Sequence, residues 1–204
     1  MFGKFRIFST STALFTLALP TLFSVSVGGA SLFGSGQWGH FVGTVKTEWY
    51  DDGRTMKLLD DFGYIDAGGN SWTALKGHEI DGASIPQVFW SFIGGPFEGK
   101  YRNASVVHDF ECDVRKRPWR SVHRMFYAAC RCGGVEQTKA KVMYGAVYHF
   151  GPRWGTDKGP RPFKTDEDFK RIKDYVESNP DISLAEIESL DQAKVRDFER
   201  KKRR

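Results

Sequence analysis

Cysteine is scarce in this chain: Cys112, Cys130 and Cys132 are the only three in 204 residues. An odd count permits at most one intramolecular bridge, which excludes a disulfide-stapled scaffold. A bridge from Cys112 to Cys130 or Cys132 and three unpaired thiols are both open readings. The Cys130-x-Cys132 spacing lacks a second Cys pair, which argues against a structural zinc ribbon. No H-E-x-x-H ligand pair and no nucleophile elbow occurs, so the common metalloprotease and serine-hydrolase signatures are missing. Internal repeats and low-complexity tracts are missing too. Basic charge has no concentrated face: the net charge is +5 and the pI about 9.1. The one dense basic run is Arg200 to Arg204 at the end of the chain. A nucleic-acid binder is expected to gather its charge on one face or helix, so nucleic acid is not an expected partner. The basic tail reads as solvated, with contact to an anionic surface as the alternative.

What is present suits a folded domain. Hydrophobic residues make up 40% and aromatic residues 15%, too much for a disordered chain. The length fits one domain with a real core plus appendages. Residues 1–30 read as a leader: Lys4 and Arg6, an apolar run from Ile7 to Val27, then Gly28, Gly29 and Ala30. That is the order of a secretory signal cleaved after about Ala30, with an uncleaved membrane anchor as the alternative. Export to the periplasm or beyond is the expectation.

Residues 31–40 follow as a small-residue linker. Phe41 to Tyr50 predicts a strand rich in β-branched and aromatic side chains. Asp51, Asp52 and Gly53 signal a hairpin turn. Short strands are expected at Met56–Leu59, Phe62–Ile65 and Trp72–Leu75, giving a small antiparallel sheet or meander. From Arg102 the period changes to helical. Helices are expected at Tyr101–Val114, from Pro118 to Gly133, and at Glu136–Phe150. Residues 155–165 are a Gly- and Pro-rich linker. Residues 166–204 form a charged helical tail, in which Ser183 to Glu186 is a capping box that starts a last helix running to the basic end. The fold class is therefore α+β: a small antiparallel sheet, a three-helix unit, and a helical C-terminal extension.

Chemistry concentrates between residues 81 and 123. Asp81, Gly82, Ala83, Ser84, Ile85 and Pro86 make a tight polar loop, Gly94 and Gly95 a second place for close backbone approach, and His108-Asp109 a paired imidazole and carboxylate. Histidine moves protons near neutral pH, and an aspartate can orient a ring or bind a hard cation. Packing of successive helices can bring His123 to His108. A His pair with Asp109 or Asp81 is a plausible divalent-metal cluster. The candidate catalytic residues are thus His108, Asp109, Asp81 and His123. Ser84, Gly94, Gly95 and Tyr101 are candidate substrate contacts, and Asp109 is the candidate ligand for calcium or zinc. A Ser84–His108–Asp81 triad is conceivable from residue types. The structural alternative is a half-buried histidine, a solvated Asp109, and an Asp81 that closes a turn on its own backbone.

These motifs carry a resemblance. Asp81 to Pro86, Phe89-Trp90, Gly94-x-Pro96, Gly99-x-Tyr101, Ala104 to Asp109, Met125-Phe126 and Met143-Tyr144-x-x-Val147 resemble, over residues 41–154, the bacterial and phage family known as domain of unknown function 1353. The resemblance implies no established activity. Family members typically have an acidic residue where this chain has His123. A smaller likeness, His108-Asp109-Phe110 with Cys112 a turn later, is to secreted phospholipases of the A-two type. It implies His108 as a base, Asp109 as a calcium ligand, the Gly94-Gly95 loop as a carbonyl donor, and an acid at position 123. Two function classes follow: an exported His-centred hydrolase of lipid or cell-envelope material, or a non-enzymatic phage- or envelope-associated binding or structural protein.

Overall fold

The computed structural model describes residues 36–82, 90, 94–95 and 97–204. The expected leader, the first half of the linker (residues 31–35), and Ser84 lie outside the described residues. The expected strand over 41–50 is two strands, because Gly43 takes a left-handed φ of +83° and interrupts the run. β1 (His40–Val42) pairs antiparallel with β4 (Phe62–Ile65), which pairs with β5 (Ser71–Ala74). β2 (Thr47–Trp49) pairs with β3 (Met56–Leu58), and β3 with β6 (Glu79–Ile80), in a second three-stranded sheet. Alternation does the sorting: Met56 and Leu58 are buried and Lys57 exposed, Trp72 and Ala74 are buried and Ser71 exposed.

The turn before β1 is no free linker. Gly39 has φ +78°, and a Cβ there would lie 2.1 Å from the Ile65 carbonyl oxygen, so only glycine fits. Trp38 packs edge-on to Tyr127, and its carbonyl accepts the Tyr64 hydroxyl at 2.5 Å.

A 3-10 turn (Gly99–Tyr101) leads into α1 (Arg102–Val114), which packs against β4, β5 and β6 and against α2 (Trp119–Cys132). Pro118 is the N-cap of α2, a position where its missing N–H costs nothing. Gly133 closes α2 in helical geometry, and it is Gly134, at φ +82°, that takes the left-handed turn. α3 (Gln137–Phe150) follows and packs on α2.

The C-terminal extension departs most from expectation. α4 (Asp166–Ser178) lies on α3, as does α5 (Leu184–Glu188); α6 (Gln192–Lys202) packs on α4. The single last helix expected from Ser183 is two helices, broken at Ser189–Asp191, where Asp191 caps α6 by accepting the Lys194 N–H. Phe163, Phe169, Ile172, Val176, Ile182, Ile187, Leu190 and Val195 are buried in the same core as the rest of the domain. Among the described residues no helix is long and apolar enough to cross a membrane.

Asp168 ties this extension together. Its carboxylate accepts the Lys164 N–H at 2.8 Å, the Thr165 N–H at 3.1 Å and the Gln192 amide at 2.7 Å. Burial alone would raise its pKa, but these donors hold it down at about 2. The folded value lies below the ordinary carboxylate value, so the stabilisation is present above about pH 4 and is lost as pH falls towards about 2. Asp168→Ala is expected to cost about 1–2 kcal/mol at neutral pH. Urea melts at pH 7 and pH 2.5 check this: the mutational cost should shrink at the lower pH.

Candidate functional site

α1 offers His108 and Asp109 in succession, about 100° apart around the helix, and the two project to different neighbourhoods. Asp109 turns to the Asp81 loop. Its Oδ2 accepts the backbone N–H of Asp81 and of Gly82, both at 3.0 Å, and the residue is 3% exposed. The loop therefore gives Asp109 backbone. The Asp81 carboxylate is 41% exposed and lies 3.7 Å from the Arg54 guanidinium. The expected convergence of Asp81 and His108 side chains is replaced by a surface ion pair and a buried latch.

His108 turns the other way, to α2. Its Nε2 lies 2.9 Å from Nδ1 of His123, so the two rings meet. Proton positions follow by elimination. The Pro152 carbonyl can only accept, so His123 Nε2, 3.1 Å away, carries a hydrogen. In the neutral ring Nδ1 is then an acceptor, and His108 must donate from Nε2. Both imidazoles are fully buried. Burial, and then the neighbouring His123, drive the His108 pKa well below the usual range; burial outweighs the Pro152 hydrogen bond and pulls His123 down to about 3. Both are neutral at pH 7. Phe126 packs against His108 with the rings tilted by 40° and their centroids 4.6 Å apart, and Trp119 and Trp154 flank His123.

Cys112, for which the residues leave a bridge and a free thiol equally open, is the third member of this cluster. Its Sγ is 3.6 Å from His108 Nε2, and all three thiols of the chain are free. Four residues separate His108 from Cys112, which places them on one helix face; that spacing was the available signal. Burial, more than the nearby Asp109 and Asp113 carboxylates, pushes the Cys112 thiol up.

The glycine pair has an internal role. Gly94 has φ +92°, and the Gly95 carbonyl accepts the Tyr101 hydroxyl at 2.6 Å while its N–H donates to Glu98 at 3.2 Å. Tyr101 is buried, its hydroxyl pushed up to about 12 by burial and by Glu98. A surface cleft of about 440 Å3 is bordered here by Glu98, Gly99, Tyr101 and Val135. Another of about 450 Å3 is bordered by Asp66, Trp72, Arg117 and Arg124, and one of about 470 Å3 by Val45, Trp49, Phe97 and Arg102.

The order of these features along the chain, loop, helix with His-Asp, second helix, coincides with a family match. Residues 56–147 match the family "Protein of unknown function (DUF1353)". The matched segment runs from β3 to near the end of α3 and holds every described candidate site residue. Over 122 residues, 60% of this chain, the sequence is 45% identical to "Uncharacterized protein y4jT" of Sinorhizobium fredii (strain NBRC 101917 / NGR234), covering 34% of that protein. Over 100 residues, 48% of this chain, it is 48% identical to "Uncharacterized protein y4iH" of the same strain, covering 42% of it. The chain spans less than half the length of these curated relatives. No solved structure matches it, and the likeness to secreted phospholipases is not borne out.

Proposed function

We propose that this chain is a non-enzymatic, phage- or envelope-associated binding or structural protein, in which Asp109 latches the Asp81 loop to the helical half of the DUF1353 segment. The observation that supports this reading most is the inward use of the His108–Asp109 pair. His108 is fully buried and bonded to His123, and Asp109 receives two loop N–H groups. A His-centred hydrolase of lipid or cell-envelope material, assisted by calcium or zinc, would require one of these groups to meet substrate. The proposal includes export, supported by the basic, apolar, small-residue order of residues 1–30. Protein recovered outside the cytoplasm should then begin near Ser31.

The test compares wild type with His108→Ala on phospholipid vesicles and on purified envelope polymer. The expected result is equal background release from both proteins, with a lower melting temperature for the variant. Turnover by wild type that vanishes in a His108→Ala protein with unchanged melting would overturn the proposal in favour of the hydrolase.

A further inference from the structure

We infer that His108, Cys112 and His123 form a site for one borderline-soft divalent metal ion, zinc in particular, held between α1 and α2. One ligand atom from each residue lies within 4.8 Å of the other two, and all three residues are buried. A tetrahedral zinc ion bonds nitrogen at about 2.0–2.1 Å and sulfur at about 2.3 Å, which sets neighbouring donors roughly 3.3–3.6 Å apart. The Cys112 Sγ to His108 Nε2 distance of 3.6 Å already has that value. The two imidazole nitrogens, at 2.9 Å, need to part by only a few tenths of an ångström.

A second observation is independent of this spacing. His123 donates from Nε2 to the Pro152 carbonyl, which fixes the ring and turns the bare Nδ1 lone pair toward the cluster. Metal-bound histidines are commonly oriented in this way, the far N–H tied to a carbonyl or carboxylate. His108 and Cys112 are four residues apart on α1, so one helix supplies two donors along one face and α2 supplies the third. Two imidazoles and one thiol suit zinc and its neighbours rather than calcium, which takes oxygen ligands. The hard-cation role expected for Asp109 gives way here to a soft-donor set that excludes it. Binding replaces the Cys112 S–H bond with a sulfur–metal bond and releases that proton to solvent, and the hydrogen that His108 Nε2 gave to His123 moves to His108 Nδ1, so that Nε2 presents a lone pair to the ion. Three protein donors leave a fourth position for water or another ligand. The inference is independent of whether the protein is catalytic.

The site is buried, so the full chain should be loaded during expression in medium supplemented with zinc, or with cobalt as a spectroscopic substitute. Expected are one metal per chain, a higher melting temperature than the chelator-treated protein, and for cobalt a thiolate-to-metal charge-transfer band with tetrahedral d–d bands. Cys112→Ser should lose the charge-transfer band and weaken zinc at least ten-fold, while Cys132→Ser should keep both. X-ray absorption on zinc-loaded wild type needs no variant and should show one sulfur among the nearest neighbours. Substoichiometric metal in wild type, a shell without sulfur, or a charge-transfer band that survives in Cys112→Ser would each overturn the site.

Discussion

A chain cut after Lys164 is expected to lose cooperative folding altogether. The cut removes Phe169, Ile172, Val176, Ile182, Ile187, Leu190 and Val195, all buried in the common core. Full burial of such a side chain contributes about 1.5–3 kcal/mol. Together, at about 10–21 kcal/mol, they match or exceed the roughly 5–15 kcal/mol that separates a folded domain from its unfolded ensemble. The cut also uncovers what lies beneath. Gly145 on α3 faces both α4 and α5: a Cβ there would meet Ile172 at 3.2 Å and Ile187 at 3.4 Å. Glu188 accepts the Tyr144 hydroxyl at 2.6 Å and both nitrogens of the Arg124 fork at 2.7 and 2.9 Å. His149 donates from Nε2 to the Ile187 carbonyl at 2.8 Å. Without the extension these buried polar groups face solvent or nothing. Circular dichroism melts of residues 36–164 beside 36–204 decide the matter. A sharp transition in the shorter chain within a few degrees of the longer one would show that 165–204 is a separable tail.

Asp109→Ala is expected to cost about 3–5 kcal/mol, because two N–H groups, that of Gly82 buried and that of Asp81 partly so, would lose a charged acceptor. Asp109→Asn keeps an oxygen in position but not the charge, and should lose about 1–2 kcal/mol. Chemical denaturation of the three proteins gives both differences. A change under about 0.5 kcal/mol for Asp109→Ala, the size expected of an exposed residue, would remove the latch. The neighbouring ion pair is the internal control. Arg54 and Asp81 stand 3.7 Å apart with half-exposed side chains, so Arg54→Ala should change stability little.

Short-range features were legible in the residues because their causes are short-range. The Asp52 and Gly53 turn, the short strands β3 and β5, and the capping box at Ser183 depend on neighbours within a few positions. So does the existence of α1, α2 and α3, whose apolar stripes repeat at helical spacing. The break between α5 and α6 was less legible, since Leu184, Ile187, Leu190 and Val195 continue a helix-like rhythm across it. Asp191 interrupts it with a cap that only its bond to the Lys194 N–H reveals.

The site shows the same division. His108 and Asp109 stood out by type and adjacency, but what each does depended on the partner element. Residues one apart on a helix must diverge, yet nothing in that rule says which faces the loop and which faces α2. The pairing of His108 with His123, and the entry of Cys112 beside them, required two helices to be packed at a definite rotation. The residues alone determined an α+β chain whose polar loop and His-Asp helix lie in a segment that matches the DUF1353 family model. Tertiary packing alone decided that the imidazole is sealed inside, that the carboxylate serves the backbone, and that the charged C-terminal helices belong to the core. Sequence sets local torsions and stripes, whereas burial is fixed by which stripes meet.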